Sequence, residues 1–328
     1  MAQAGVPEHD ESDLPPPRLE GALELSDGRR LGYAEYGPPS GRPVLWFHGT
    51  PGARRQIPPQ ARRAAEQRAV RIVAVERPGI GVSTPHLYER LLDWAGDMEE
   101  FADRLGIERF GVVGLSGGGP YALACAHRLP DRVVAAGILG GVAPAVGEDA
   151  AAGGLVALLP RVAPLMTLWR WPLGRGARRL IQLLLPWADE VTDLFLRVLP
   201  PGDQRVFDDP AMRRMFLDDI IRGSRRHMEA LVLDGILFGR PWGFALREIR
   251  VPVRFWHGDA DNIVPLSHGE HMAAHVPDSE LRVRPEEGHL GGLAVALEVL
   301  DAILGCWPPV SVVPEREEQG DARPISAG

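Results

Sequence analysis

The 328-residue chain contains no lysine; all 36 of its basic residues are arginine. That absence excludes Schiff-base catalysis and the phosphate-binding lysine of a P-loop. Cysteine is almost as scarce. Cys125 and Cys306 are too few and too far apart for a disulfide framework or a cysteine-rich zinc site, so reduced thiols and a cytoplasmic location are expected. Basic charge is outnumbered, 36 residues against 44 acidic for a net charge of −8, which argues against nucleic acid as a partner. Long apolar runs are missing too: nothing approaches the roughly 20 residues of a membrane span. The longest patches, 155–159 and 180–188, are bounded or broken by Arg, Gln or Pro, and no stable membrane insertion is expected. Residues 1–19 lack the basic start and apolar stretch of a secretory signal, and 308–328 are rich in Pro, Glu, Gly and Ser. Both read as flexible tails, unable to bury enough surface to offset their ordering entropy.

Between the tails, short apolar runs bounded by Gly and Pro (44–47, 72–75, 111–115, 133–139 and 251–256) read as buried strands. They alternate with segments of helical period at 62–69, 92–105, 120–129, 267–276 and 293–303, the pattern of parallel strands joined by crossover helices. Ahead of them, 22–25 and 31–36 flank Asp27-Gly28 and read as an antiparallel hairpin at the sheet edge. The alternation stops after Pro144 and resumes near Val251. Helix-like stretches at 155–169, 177–185, 191–198, 211–226 and 228–238 fill the gap, with no convincing strand. The expected fold is α/β: a mostly parallel sheet with an antiparallel N-terminal edge and helices on both faces. Its core would comprise 20–144 and 246–307, with a helical cap over 145–245.

Gly114-Leu115-Ser116-Gly117-Gly118 follows a strand and precedes a helix, the context of a nucleophile elbow. Small neighbours let a tight turn lift the serine hydroxyl out of the sheet. A serine hydroxyl is a poor nucleophile unless an imidazole takes its proton, and the imidazole needs a carboxylate to fix its tautomer. Asp259 and Asp261 lie in the loop after strand 251–256. His289 follows in the next such loop, after one helix and one strand, so the chain order is Ser, Asp, His.

With these motifs the chain resembles the cap-bearing α/β-hydrolases over residues 20–305. Two further segments carry the resemblance: His48-Gly49-Thr50-Pro51-Gly52 after an early strand, and Glu76-Arg77-Pro78-Gly79-Ile80-Gly81-Val82-Ser83 after the next. The resemblance implies the α/β-hydrolase fold, a catalytic set of Ser116, His289 and Asp261, and an oxyanion hole from the N–H groups of Thr50 and Gly117. It selects Asp261 because the second aspartate of G-D-x-D-x-x-V-P faces the histidine, leaving Asp259 to cap its loop. It further implies hydrolysis of an ester-type acyl bond through an acyl-enzyme, with no cofactor or metal and a small apolar acyl substrate. His48, Gly49, Leu115 and His86 are candidates to line the pocket, although His48 and His257 read first as structural. His268, His271 and His275 have helical spacing but lack the H-E-x-x-H order, and are expected on an ordinary exposed helix.

Haloalkane dehalogenases and epoxide hydrolases would need an aspartate where this chain has Ser116. Carbon–carbon hydrolases, proline iminopeptidase-like peptidases, cofactor-free haloperoxidases and a non-catalytic receptor on the same scaffold remain open. A peptidase would call on cap carboxylates such as Asp218, Asp219, Glu229 and Asp234 to hold the substrate amine. The apolar cap segment 155–171 reads first as packing against the core, second as an acyl pocket, third as a lipid-contacting surface.

Overall fold

The computed structural model describes residues 14–151 and 153–307. The chain opens with the hairpin β1 (Leu19–Glu24) and β2 (Arg30–Tyr36), followed by β3 (Arg42–Phe47), α1 (Pro59–Gln67), β4 (Val70–Val75) and the two-residue β5 (Ile80–Gly81). Next come α2 (Asp93–Arg104), β6 (Phe110–Leu115), α3 (Gly119–Arg128) and β7 (Val133–Leu139). A helical stretch, α4 (Leu159–Leu184), α5 (Ala188–Arg197), α6 (Pro201–Val206) and α7 (Pro210–Gly223), leads through β8 (His227–Met228) to α8 (Ala230–Phe238). The sheet then resumes with β9 (Val253–Gly258), α9 (Leu266–His275), β10 (Ser279–Arg284) and α10 (Ala296–Gly305).

Eight strands form one sheet in the order β1-β2-β4-β3-β6-β7-β9-β10. The β1–β2 and β2–β4 pairs are antiparallel and all others parallel, so the expected mixed sheet is present. Trp94, Met98 and Phe101 of α2, the alanines of α3 and Met272 of α9 pack on one face; α1 and α10, with Val299 and Ile303, cover the other. Strands buried on both faces explain the near-continuous apolar runs in the sequence.

Several boundaries differ from the sequence reading. Leu19 lies in β1 rather than in a tail, because the Arg18 N–H donates to the Glu35 carbonyl and extends the ladder; Leu14 also packs on the core. The remaining tail positions, 1–13 and 308–328, lie outside the described residues. The stretches 155–169 and 177–185 are joined by one 26-residue helix, α4, although it contains Pro164 and Pro172. A proline forfeits one helical hydrogen bond, but tertiary packing on α8 holds the axis together. Cβ atoms built at Gly174, Gly235 and Gly239 would press on Glu229, Met166 and Leu159, so the two helices approach through their small residues. The helical stretch also contains a strand: β8 pairs with β5, Ile80 opposite Met228, too short a segment to show any alternation.

Candidate active site

The sharp turn after β6 gives Ser116 a φ of 51°, in the left-handed region. A non-glycine residue there is strained and held only by its surroundings. Two glycines make the turn possible: a Cβ at Gly118 would sit 2.2 Å from the Phe47 carbonyl oxygen, and one at Gly114 would sit 2.5 Å from that of Gly118. The hydroxyl therefore emerges at the C-terminal end of β6, beside the loop that follows β3.

His289, in the loop after β10, has Nε2 2.7 Å from Ser116 Oγ and Nδ1 2.7 Å from Asp261 Oδ2. The serine can donate to Nε2 while the Nδ1–H donates to the carboxylate, the tautomer that leaves Nε2 free to accept a proton. Asp261 is itself fixed, since its Oδ1 accepts the N–H groups of Ile263 (2.9 Å) and Val264 (2.8 Å). Burial works against its ionisation, yet hydrogen bonds from His257 and His289, the charge of His289 and the Val264 N–H together hold the carboxyl well below the usual range. Asp259 is exposed and accepts the Glu286 N–H at 2.7 Å, closing the loop. The structure thus joins His289 to Asp261 and gives Asp259 a capping contact.

Thr50 and Gly117 lie side by side: a Cβ at Gly117 would come within 2.4 Å of Thr50 Oγ1. Gly117 is in the first turn after the elbow, where N–H groups have no intrahelical acceptor. The loop carrying Thr50 is clamped from beneath. The Arg77 guanidinium donates to the carbonyls of His48 and Gly49 (3.0 Å for Gly49), to Thr50 Oγ1 at 2.7 Å and to Asp234 Oδ2 at 2.7 Å. Asp234, on α8, also accepts from Thr50 Oγ1 (2.6 Å) and Tyr121 Oη (2.7 Å).

His48 is buried; its Nδ1–H donates to the Gly49 carbonyl and its Nε2 accepts the Arg77 N–H. Burial and the nearby Arg77 charge hold it well below the ordinary imidazole range, so it is a neutral strut. The Gly49 N–H donates to Gln56 Oε1 at 2.6 Å. Leu115 is buried beneath Gly49 and Gly292, one residue before the elbow. His86 instead lies edge-on to Tyr88, whose hydroxyl hydrogen-bonds Arg29 and Asp97; among the described residues no hydrogen bond or ring contact links His86 to Ser116 or His289. The α9 histidines are not uniformly exposed. His268 is buried and accepts the Ala143 N–H at 3.1 Å, His271 contacts the Asp149 carbonyl, and only His275 lies in the open. Among the described residues no three His, Cys, Asp or Glu side chains are grouped to hold a metal ion.

Two residues of the site's support were not assigned from the sequence. The sequence offers Asp234 only as an amine ligand, yet it is the buried counter-ion of Arg77. A lone acid inside the apolar run of α8 was the available signal, since such a charge requires a partner. Asp203 of α6 gave no such signal. It is fully buried, and its Oδ1 accepts the N–H groups of Leu290 and Gly291, both at 2.9 Å, immediately after His289. Its Oδ2 has no hydrogen-bond partner among the described residues. The three other carboxylates that the sequence offers for an amine are also committed: Asp218 to Arg55 and Arg222, Asp219 to the N–H groups of Ala53 and Arg55, and Glu229 to the Met228 N–H and His227.

A family model described as alpha/beta hydrolase fold matches residues 42–293, and the chain belongs to that family. It is 26% identical over 300 residues to a proline iminopeptidase of Neisseria gonorrhoeae, covering 84% of this chain and 92% of that protein. A match to a proline iminopeptidase of Arabidopsis thaliana is 36% identical but spans 120 residues, 36% of this chain and 31% of the other. Among solved structures, an alpha/beta hydrolase fold protein from Nakamurella multipartita aligns with a TM-score of 0.65 at 23% identity, over 88% of this chain and 99% of that one. The esterase EaEST from Exiguobacterium antarcticum aligns with a TM-score of 0.64 at 17% identity, over 88% and 98%. At these identities the structural matches establish the shared fold.

Proposed function

We propose that the protein is a serine hydrolase that cleaves an ester-type acyl bond, with Ser116 as nucleophile, His289 as general base and acid, and Asp261 orienting the imidazole. The observation that carries this reading is the continuous hydrogen-bonded chain from Ser116 Oγ through His289 to Asp261, two contacts of 2.7 Å each. In the first half-reaction Ser116 Oγ bonds to the acyl carbon while its proton passes to His289 Nε2. The resulting oxyanion is held by the N–H groups of Gly117 and Thr50, donors of a type worth about 2.7–4 kcal/mol in the transition state. Collapse breaks the ester C–O bond and His289 returns the proton to the departing alcohol. A water molecule, deprotonated by His289, then attacks the acyl-enzyme and releases the carboxylic acid and free Ser116.

An ester is favoured over a peptide with a free amino terminus because Asp218, Asp219, Glu229 and Asp234 are already engaged by arginine, backbone N–H groups or histidine. The similarity to proline iminopeptidases supports a second reading, a peptidase on the same serine. A net charge of −8 and two free thiols fit a cytoplasmic enzyme acting on a small apolar acyl substrate rather than on nucleic acid.

A fluorophosphonate probe applied beside Ser116→Ala, with p-nitrophenyl esters of increasing chain length and proline p-nitroanilide as substrates, tests the reading. Labelling confined to the native serine and preferred turnover of one ester length are expected. Preference for the anilide would replace the ester reading with the peptidase one. Folded protein that does not label would move a non-catalytic ligand-binding role to the front.

A further inference from the structure

α4 is built inside out. Its buried positions are the small residues Ala163 and Gly174, whereas Leu165, Leu168, Trp169, Leu180 and Leu183, with Trp187 just beyond, are each more than half exposed. At about 100° per residue these positions fall within one arc of about 120°, so they form one outward stripe, about 27 Å long from Leu165 to Leu183. Val156 and Leu159 pack on the core, as the sequence suggested, but Leu158, Leu165, Leu168, Trp169 and Trp171 of the same segment do not. Gly235 of α8 and Gly239 just beyond it draw the inner face in too closely for the exposed ones. A helix apolar on its outer face as well as its inner one calls for a cover.

The charge on the same helix identifies that cover. α4 carries five arginines, Arg161, Arg170, Arg175, Arg178 and Arg179, and no acidic residue, in a chain whose net charge is −8. None of the five forms an ion pair among the described residues, although most of the chain's other buried and half-buried arginines do. Arg161, Arg175 and Arg179 are exposed beside the apolar stripe. The acids that follow on α5 are largely spoken for, since Asp189 and Asp193 pair with Arg213.

We propose that the outward face of α4 is a docking surface for an anionic lipid bilayer, lying in the plane of the headgroups. Exposed leucines and tryptophans would enter the headgroup–acyl boundary, and the unpaired arginines would meet lipid phosphates. No helix among the described residues is long and apolar enough to cross a membrane, so the attachment is peripheral. A second copy of the chain is the less favoured cover: two-fold pairing would set five unpaired arginines against the same five.

The proposal does not depend on the hydrolytic reading, and its test uses binding alone, on the full chain and on Ser116→Ala. Flotation with phosphatidylcholine vesicles, with and without phosphatidylglycerol, should show binding that requires the anionic lipid and weakens with salt. Arg161→Glu/Arg175→Glu/Arg179→Glu should weaken it about 100-fold. Leu165→Asp/Leu183→Asp should abolish it, with the thermal melt by circular dichroism unchanged in both variants. Equal affinity for neutral and anionic vesicles, or no binding by folded monomer, would overturn the proposal. So would a stable dimer that Leu165→Asp/Leu183→Asp splits and that ignores vesicles, since a second copy would then be the cover.

Discussion

Asp261 and Asp259 are two residues apart in one loop, and the difference between them is what each oxygen touches. Asp261 Oδ2 takes the His289 Nδ1–H, so Asp261→Asn presents an amide that favours the wrong imidazole tautomer; kcat should fall about 10⁴-fold. Asp259→Asn keeps a carbonyl oxygen for the Glu286 N–H and should leave kcat within a few-fold of wild type. Steady-state kinetics on the best ester decide, and the opposite ranking would assign the acid wrongly. Asp203 acts one step further out, through the backbone that carries His289. Asp203→Ala strands the N–H groups of Leu290 and Gly291 and should lower kcat about 10²-fold through a displaced imidazole, with KM little changed. Asp203→Asn retains an acceptor and should recover most of that loss; equal damage from both would point to a role for the carboxyl charge instead. The proximity of Ser116, His289 and Asp261 was legible because elbow, loop and order are local patterns. Asp203 was not, because its partners lie some 87 positions away and nothing in Pro201-Gly202-Asp203 announces them.

At the level of elements, α8 and the turn after β4 are joined by Arg77 and Asp234, both almost fully buried. Asp234→Ala leaves a guanidinium in the interior with its counter-ion gone, a change that costs about 3–5 kcal/mol. Urea unfolding should show that loss with an unchanged denaturant slope. Arg77→Met/Asp234→Leu, which removes both charges, should be less destabilised than Asp234→Ala; a loss under about 1 kcal/mol in the single variant would mean water reaches Arg77. The strands and α4 separate what sequence shows from what it hides. The parallel strands were legible since burial on both faces leaves an unbroken apolar run, as in β6 and β7. α4 was misread because its pattern is inverted: periodicity marks an apolar face but does not say which way that face turns. Small residues at Gly174, Gly235 and Gly239 decided it by packing α4 against α8.

Across the whole molecule, two buried carboxylates titrate in opposite directions: Asp219, which ties the helical stretch to the sheet core, and Asp261, within that core. Asp219 of α7 accepts the N–H groups of Ala53 and Arg55 in the loop after β3. Burial pushes its carboxyl up to about 7 from an ordinary 3.8; those two N–H groups oppose the shift, and the charges of Glu76 and Asp218 add to it. Because the folded value lies above the unfolded one, the folded state binds this proton more tightly. The stabilisation is complete below about 3.8 and is lost as pH rises through about 7. Asp261, held below the usual range, does the reverse: its stabilisation is present above about 3.8 and is lost as pH falls. Acid should therefore weaken the loop that Asp261 anchors while strengthening the Asp219 tie. Asp219→Asn isolates the second effect, since an amide does not titrate there. The wild-type melting temperature should fall relative to that of Asp219→Asn as pH rises from about 4 to about 7, and the two curves should run parallel above that. A difference that stays flat across the window would mean the two N–H groups outweigh burial and Asp219 is ionised throughout, leaving α7 tied to the loop after β3 by a charged clamp.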